Sequence, residues 1–575
     1  MKKSFKVTVS ILLCLSLLVP SLYVFAEDDN ALKITVASDT HFQCAEDAGE
    51  FVIDPENTEY IEGLLNAEMF SNCTIQGQMN YESTAIVQKM LDEFSASDDE
   101  YLLIPGDLTC GKRQSHIEFA EMLKKAEEES GKKIFVVCGN HDCDDEDFEK
   151  YISIDEFKEI YADFGYNEAL TKHETSGSYT YDLDDNYRLL AIDSCIYGAD
   201  DGEINGSVYS WIEEQVKKAK EDSKTLVAMM HHSILPHFEI QPMIDDYENL
   251  ASQFADWGIN FVFTGHIHAN DISMTVSDNG NVLYDIQTGA LITYPNAYRR
   301  VVLNNGTVDI SSQYITEIDT SLLPDGFSDE QLSLIESDFE SYSYQFFEAG
   351  MCKWLNRYIG SAGKVGKLLK LEQGSAEYEL LDDIMRNIGV SLSLPIYDDG
   401  STPGVIDSIE EIAAEGGCTL PESDYERIYQ VVAVIYGGFY HGDEDESVKE
   451  NEYPLLYDCL KSVLAYTLAG VSFSSYALSD YGEMLEKAGY SKEFGNLVSD
   501  IAQVNFEKSE ADILVSAILE KVTAGIIDDY SEPADINVTL DLNEFEKDAD
   551  VSLNIFEKIF KIILGILEKF LPFVI

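Results

Sequence analysis

Five short apolar runs punctuate the first half of the chain: Ile34–Ala37, Leu102–Ile104, Ile134–Val137, Leu226–Met230 and Phe261–Phe263. Each stops at a cluster of polar residues, which predicts buried strands ending in loops. Between them, Ser83–Phe94, Ser115–Glu129 and Ser210–Asp222 read as helical stretches. Strand-like runs alternating with helices predict an α/β domain over 31–316. From Asn281 to Ile315 the runs are short and β-rich, with hairpin signals near Gly289 and at Asn304-Asn305-Gly306, and they close the sheet system.

A boundary follows. Pro324-Asp325-Gly326 is a turn, and Ser328 to Gln331 reads as a capping box opening a long helix. Beyond it the apolar residues recur at helical spacing, as in Leu380, Leu381, Ile384 and Ile388 and again in Tyr429, Val432 and Ile435. The span 325–545 is therefore read as a mainly helical accessory domain with an acidic surface. The last segment, 553–575, is apolar but carries Glu557, Lys558, Lys561, Glu568 and Lys569 on one stripe. Charges at that density argue against a spanning helix. An amphipathic helix remains, laid on a membrane as a peripheral contact, laid on a partner, or packed on its own domain, and periodicity does not choose among them.

The N-terminus reads as a targeting segment. Lys2, Lys3 and Lys6 precede the apolar stretch Val7 to Val19, and Val24-Phe25-Ala26 fits a signal-peptidase site, so 1–26 is expected to be removed and the chain exported to the cell surface or beyond. Cys14 follows Leu13, where a lipoprotein site wants a small residue. Ten cysteines in 575 residues are too few for a disulfide scaffold. Cys44 and Cys73 flank an insertion-like loop and form the first pair to test.

Charge narrows the function. With 38 basic against 106 acidic residues the formal net charge is −68, a field that repels nucleic acid backbones and anionic membranes and attracts cations. No nucleic acid binding through a basic surface is expected. Nine of the 10 histidines fall between His41 and His268, mostly beside Asp, Asn and Gly. The groups are Asp39-Thr40-His41, Gly106-Asp107, Gly139-Asn140-His141-Asp142, His231-His232 and Gly265-His266-Ile267-His268, each just after one of the apolar runs. Oxygen and imidazole donors gathered at strand ends predict a metal centre. An extended Gly265–His268 would put His266 and His268 on one side, Asp39 and His41 would share that spacing, and Asp107 could bridge two cations with its two oxygens. Gly265 permits a close backbone approach.

These groups, in this order, resemble the motifs of the calcineurin-like metallophosphoesterases over Ala31 to Thr316. The resemblance implies a four-layer α-β-β-α sandwich and two divalent cations (manganese, iron or zinc). Asp39, His41, Asp107 and His268 would hold one, and Asp107, Asn140, His231 and His266 the other. It implies hydrolysis of phosphate mono- or diesters, on a phosphorylated small molecule or polymer, by water activated between the metals. His141 is then left over to donate a proton to the leaving oxygen or to steady the phosphoryl oxygens, with Asp142 orienting its ring. Of the adjacent pair His231 fits the family pattern, and His232 is read as packing or support. His116 and His173 read as structural, His237 as a loop residue with lining the site as the other reading, and Asp193-Ser194 as a strand-end cap or a support for the site.

Two departures restrict the subfamily. Cys110 stands where many members carry a second Asp and purple acid phosphatases a Tyr, which argues against an iron–tyrosinate centre; Cys110 and Cys143 are read as bland neighbours of the loops. Cys143-Asp144 after Gly-Asn-His-Asp departs from the 5′-nucleotidase pattern. Arg299-Arg300 and Lys112-Arg113 read as surface charge, with phosphate contact as the other reading. A rival function is a non-catalytic metal-binding cell-surface protein whose acidic helical domain recruits a partner.

Overall fold

The computed structural model describes residues 31–48, 76–144, 151–238, 241, 243–304, 306–359, 363, 372–442, 446–469 and 534–542. The segments read as a signal peptide and as the amphipathic 553–575 helix lie outside them, as do Cys14 and Cys73.

Two mixed sheets form the first domain. The first has six strands in the order β13-β12-β11-β1-β2-β3, comprising β1 (Leu32–Val36), β2 (Tyr101–Pro105), β3 (Lys133–Val137), β11 (Ala297–Asn304), β12 (Thr307–Tyr314) and β13 (Asn537–Asp541). The second has seven in the order β4-β5-β6-β7-β8-β10-β9: β4 (Thr171–Lys172), β5 (Tyr179–Asp182), β6 (Tyr187–Ile192), β7 (Thr225–Met230), β8 (Phe261–Thr264), β9 (Asp271–Val276) and β10 (Val282–Gln287). β1, β2 and β3 run parallel to one another, as do β6, β7 and β8, so their C-terminal ends open on shared edges.

The sequence explains the layers. β2 and β3 are buried along nearly their whole length, as strands covered on both faces must be. Ile34, Val36, Leu103 and Phe135 of one sheet share a buried cluster with Leu189, Val227, Phe263 and Ile286 of the other. Helices α1 (Ser83–Ala96) and α2 (Arg113–Ser130) join that cluster through Ile86, Met90, Phe119 and Leu123. On the far face, α3 (Gly206–Glu221) and α4 (Tyr247–Trp257) pack Ile212, Val216 and Phe254 against Leu190, Ala228 and Val262. The result is the expected α-β-β-α sandwich.

Between β12 and β13 the described residues are mainly helical. The capping box at Ser328 and Gln331 forms as expected and starts α5 (Asp329–Ser337). It is followed by α6 (Phe339–Ile359), α7 (Ala376–Leu392), α8 (Ile409–Gly416), α9 (Ile428–His441) and α10 (Glu452–Ala469). Their core gathers Ile388, Ile412, Val432, Ile435 and Cys459. Among the described residues no helix is long and apolar enough to cross a membrane.

One boundary differs from the sequence expectation. Asn537–Asp541, inside the span read as the helical domain, returns as edge strand β13 and pairs antiparallel with β12, Val308 opposite Leu540. The helical region is thus an excursion between two strands of one sheet. Nothing in a five-residue polar–apolar alternation tells which sheet it joins.

Candidate metal centre

Five of the seven nominated donors leave their strand ends in an unusual backbone conformation. Asp39, His41, Asp107, His266 and His268 all have positive φ, from 36° to 75°, five of the eight such non-glycine residues described. Left-handed backbone costs about 1–2 kcal/mol for a residue with a Cβ. Its concentration here points to geometry held for a purpose. Gly265 makes room for the approach, since a Cβ there would stand 2.0 Å from Ser38 Oγ and 2.3 Å from Asp39 Oδ2. The freed space lets the His266 amide donate to Asp39 at 3.1 Å.

The donors form two groups around one carboxylate. In the first, His41 Nε2 is 3.1 Å from His268 Nε2 and 3.6 Å from Asp107 Oδ2, and His268 Nε2 is 3.4 Å from Asp39 Oδ1. In the second, His231 Nε2 is 3.3 Å from Asp107 Oδ2 and 2.8 Å from Asn140 Oδ1, and His266 Nδ1 is 3.0 Å from the same Asn140 oxygen.

The backbone departs from an extended arrangement in two places. His266 and His268 do not lie side by side on an extended segment; the left-handed turns send them into different groups. Asp107 faces both groups through one oxygen, Oδ2, because Oδ1 accepts the His141 amide at 2.9 Å.

The donor chemistry fits cations. Seven oxygen and imidazole donors converge, and all except the half-buried His266 are buried. His231 Nδ1 stands 3.0 Å from the Pro105 carbonyl, a place for an N–H, which leaves Nε2 to offer its lone pair. Burial lowers the His231 pKa, but Asp107 outweighs it and holds the ring up at about 9, favouring on Nε2 a positive charge whose place a cation would take. Burial takes His41 down to about 3, so its ring is a neutral donor. Despite burial, His231 and His141 hold Asp107 well below the usual carboxylate range.

His141 is the exposed member, its ring centroid 5.3 Å from that of His41. Asp142 does something other than orient it. Fully buried, its carboxylate accepts the amides of Gly139 at 2.8 Å, Thr109 at 3.0 Å and Leu108 at 3.2 Å. It ties the Asp107 loop to the Asn140 loop. Burial, then the charge of Asp107, push it up to about 8.

Other nominated residues fall into place. His232 supports from behind, its Nδ1 2.8 Å from Ser194 Oγ and its ring 4.6 Å from that of His266. His116 is fully buried beside Thr109, Tyr161 and the Asp142 carbonyl. His173 Nδ1 accepts the Ser176 amide. Cys110 accepts from Gln43 at 3.0 Å, and burial pushes its thiol up to about 12, outside the donor groups.

None of the four nominated cations is a free surface charge. Arg299 is fully buried and donates to the carbonyls of Gln287 and Asp535. Arg300 pairs with Asp98 and Asp99, Lys112 donates to the Asp47 carbonyl, and Arg113 pairs with Glu156.

Two supports escaped the sequence reading. Asp285 on β10 accepts the amides of Ile234 at 2.6 Å and Leu235 at 2.9 Å, and the Thr264 hydroxyl at 2.5 Å, so one carboxylate anchors both the His231 and the His266 loops. His237, expected on a loop, is fully buried between Asp271 at 2.5 Å and Asp285 at 3.6 Å. A lone Asp in an apolar strand such as Val282–Gln287 was the available signal.

The helical region reaches the site as well. Ile267, between His266 and His268, is buried in one cluster with Phe439 and Tyr440 of α9 and Phe347 of α6. The Asn270 amide donates to the Tyr440 carbonyl at 3.2 Å.

A two-sheet sandwich with oxygen and imidazole donors at its strand ends defines the class of protein. Residues 32–270 match the model of the calcineurin-like phosphoesterase family. That match, over the part of the chain that carries the donor groups, supports a phosphoester hydrolase. Solved structures similar to it include a dimetal phosphatase from Danio rerio, 11% identical, covering 49% of this chain and 96% of that one with a TM-score of 0.35. A purple acid phosphatase from yellow lupin (Lupinus luteus) seeds is 11% identical over 50% of this chain and 52% of its own, with a TM-score of 0.33. GAP50, the anchor in the inner membrane complex of Plasmodium, is 10% identical over 56% of this chain and 94% of its own, with a TM-score of 0.29. No curated protein matches the chain.

Proposed function

We propose that this protein is an exported hydrolase of phosphate mono- or diesters that works with two divalent first-row cations. The observation that carries it is the pair of donor groups sharing Asp107 Oδ2. Asp39, His41, Asp107 and His268 would hold one cation; Asp107, Asn140, His231 and His266 would hold the other. Bound there, two cations supply charge to clamp the phosphate and acidify water. Manganese, iron and zinc all suit such mixed donors.

The chain's own residues do the rest. The buried carboxylates of Asp142 and Asp285 hold the donor loops in register by accepting their backbone amides. His141, exposed beside the first group, donates a proton to the leaving oxygen. The strongly acidic chain meets a phosphorylated small molecule through that local positive charge. Export rests on the basic and apolar N-terminal segment, and Edman sequencing of the secreted protein should begin at Glu27.

The test is hydrolysis of a chromogenic monoester and a chromogenic diester by the manganese-loaded chain and by His141→Ala. Turnover by the wild type and a loss of about 10²–10⁴-fold in the variant is expected. Equal rates in the two would remove His141 from the mechanism. No turnover with metal fully loaded would favour a non-catalytic metal-binding protein.

A further inference from the structure

Two cysteines that phosphoester hydrolysis leaves without a task face each other beside the metal centre. Cys138 follows β3 of one sheet and leads into Gly139-Asn140-His141; Cys195 follows β6 of the other, just after Asp193-Ser194. Their sulfurs lie within 4.8 Å of each other, and Cys195 Sγ is also 3.4 Å from the Cys138 carbonyl oxygen. Cys138 is fully buried and Cys195 partly exposed, so Cys195 is the sulfur that a small disulfide reaches first.

A carboxylate stands within the same distance, which raises the alternative of a third metal site. Asp193 is already committed, however. Its Oδ2 accepts the Gly177 amide at 2.7 Å and the Tyr197 hydroxyl at 2.6 Å, and its Oδ1 accepts the Cys195 amide at 3.1 Å. A cation would have to break into that set and would still lack a fourth donor. Two facing thiols suit a bond between them instead.

We propose that Cys138 and Cys195 are a disulfide-forming pair, a covalent clasp between the two sheets at the base of the loop that carries Asn140 and His141. The oxidant is a low-molecular-weight disulfide. Cys195 Sγ gives up the proton that burial favours on it, attacks one of the oxidant's sulfurs and releases the first small thiol, leaving a mixed disulfide on Cys195. The Cys138 thiolate then attacks the Cys195 sulfur and releases the second. Two protein thiols are oxidised, one external disulfide is reduced to two thiols, and those thiols take up both protons. The S–H that pointed at the Cys138 carbonyl is gone, and residues 57 apart in sequence are joined. The bond does not depend on what the site hydrolyses.

The full chain is treated with oxidised glutathione, unfolded, alkylated, digested and analysed by mass spectrometry, with fragmentation that separates Cys138 from Cys143. The expected result is a Cys138–Cys195 linked peptide, a fall of two thiols per chain, reversal by a phosphine reductant, and no linked peptide from Cys195→Ser. Wild-type chain in which both cysteines stay free, or either pairs with a different cysteine, overturns the proposal. So does stoichiometric binding of Cd²⁺ that is lost in Cys195→Ser while no cross-link forms, since that would make the pair a soft-metal site.

Discussion

His41 Nε2 and His268 Nε2 stand 3.1 Å apart in the folded chain, although 227 positions separate the two residues. Both rings are buried, and Asp39 Oδ1 lies 3.9 Å from one and 3.4 Å from the other. Nitrogen lone pairs and carboxylate oxygens held this close share an interest in one positive charge. Across the site, Asp107 Oδ2 repeats the relation with His231 at 3.3 Å.

Metal stoichiometry should follow that division. Asp107→Ala removes the oxygen common to both groups and should reduce bound metal to well below one ion per chain. His268→Ala and His266→Ala should each leave about one ion, because each disturbs a single group. Elemental analysis of purified, dialysed protein reads the difference. Identical losses in all three variants would mean that the donors form one site.

Removing the metals should also loosen the fold. Ligands that bind only the folded state add about 2.7 kcal/mol at a hundredfold excess over Kd. The left-handed conformations at Asp39, His41, His266 and His268 are strain that cations bound there would offset. Calorimetry of metal-loaded and chelated protein should show a higher Tm for the loaded form, rising with metal concentration. A Tm indifferent to metal would contradict the assignment.

His237 predicts an alkaline limit. Burial lowers its pKa, but Asp271 and Asp285 outweigh burial and raise it to about 10. A pKa raised above the unfolded value of about 6.5 gives stability that is complete below about pH 6.5 and lost as pH rises through about 10. Each tenfold tightening of the bound proton is worth about 1.4 kcal/mol, so the contribution is on the order of a few kcal/mol. Urea midpoints of wild type and His237→Gln, measured across that range, should converge toward the alkaline end. A gap that stays constant would show that the ring is uncharged throughout.

The layers and the loops were legible because both rest on local chemistry. Apolar runs such as Ile134–Val137 announce strands, and the polar groups after them announce the ends. Helix starts obey local rules too, as at Ser328. What sequence did not disclose depends on distant partners. Asp142 looked like a companion of its neighbour His141, yet its bonds go to Leu108 and Thr109, more than thirty residues back. His266 and His268 looked collinear until positive φ separated them. Arg299 looked like surface charge, because the chain that buries it arrives 236 positions later.

That late arrival has a measurable consequence. Asp535 gives its carbonyl to Arg299 and its Oδ1 to the Ile272 amide at 2.7 Å, and Leu540 of β13 is buried against the sheet. Deleting 534–575 takes a partner from a buried guanidinium, at about 1.5–3 kcal/mol for a charged hydrogen bond. It also bares β12 as an edge, which invites association. The truncated chain should unfold at lower urea and aggregate more readily by light scattering. An unchanged urea midpoint would mean that the strand only rests on the sheet.

The helical region should act on the metals through Ile267. Ile267 lies in sequence between His266 and His268 and is buried with Phe439 and Tyr440, while the Asn270 amide holds the Tyr440 carbonyl. Ile267→Ala would open a cavity worth about 2–5 kcal/mol beneath the loop, and the freed loop should lose metal affinity about 10–100-fold, as when supports behind a ligand are removed. Ile412→Ala, in the same helical core but away from the loop, provides the comparison. It should lower stability and leave metal affinity alone. If both variants lose metal equally, affinity follows overall stability, and α9 has no specific hold on the site.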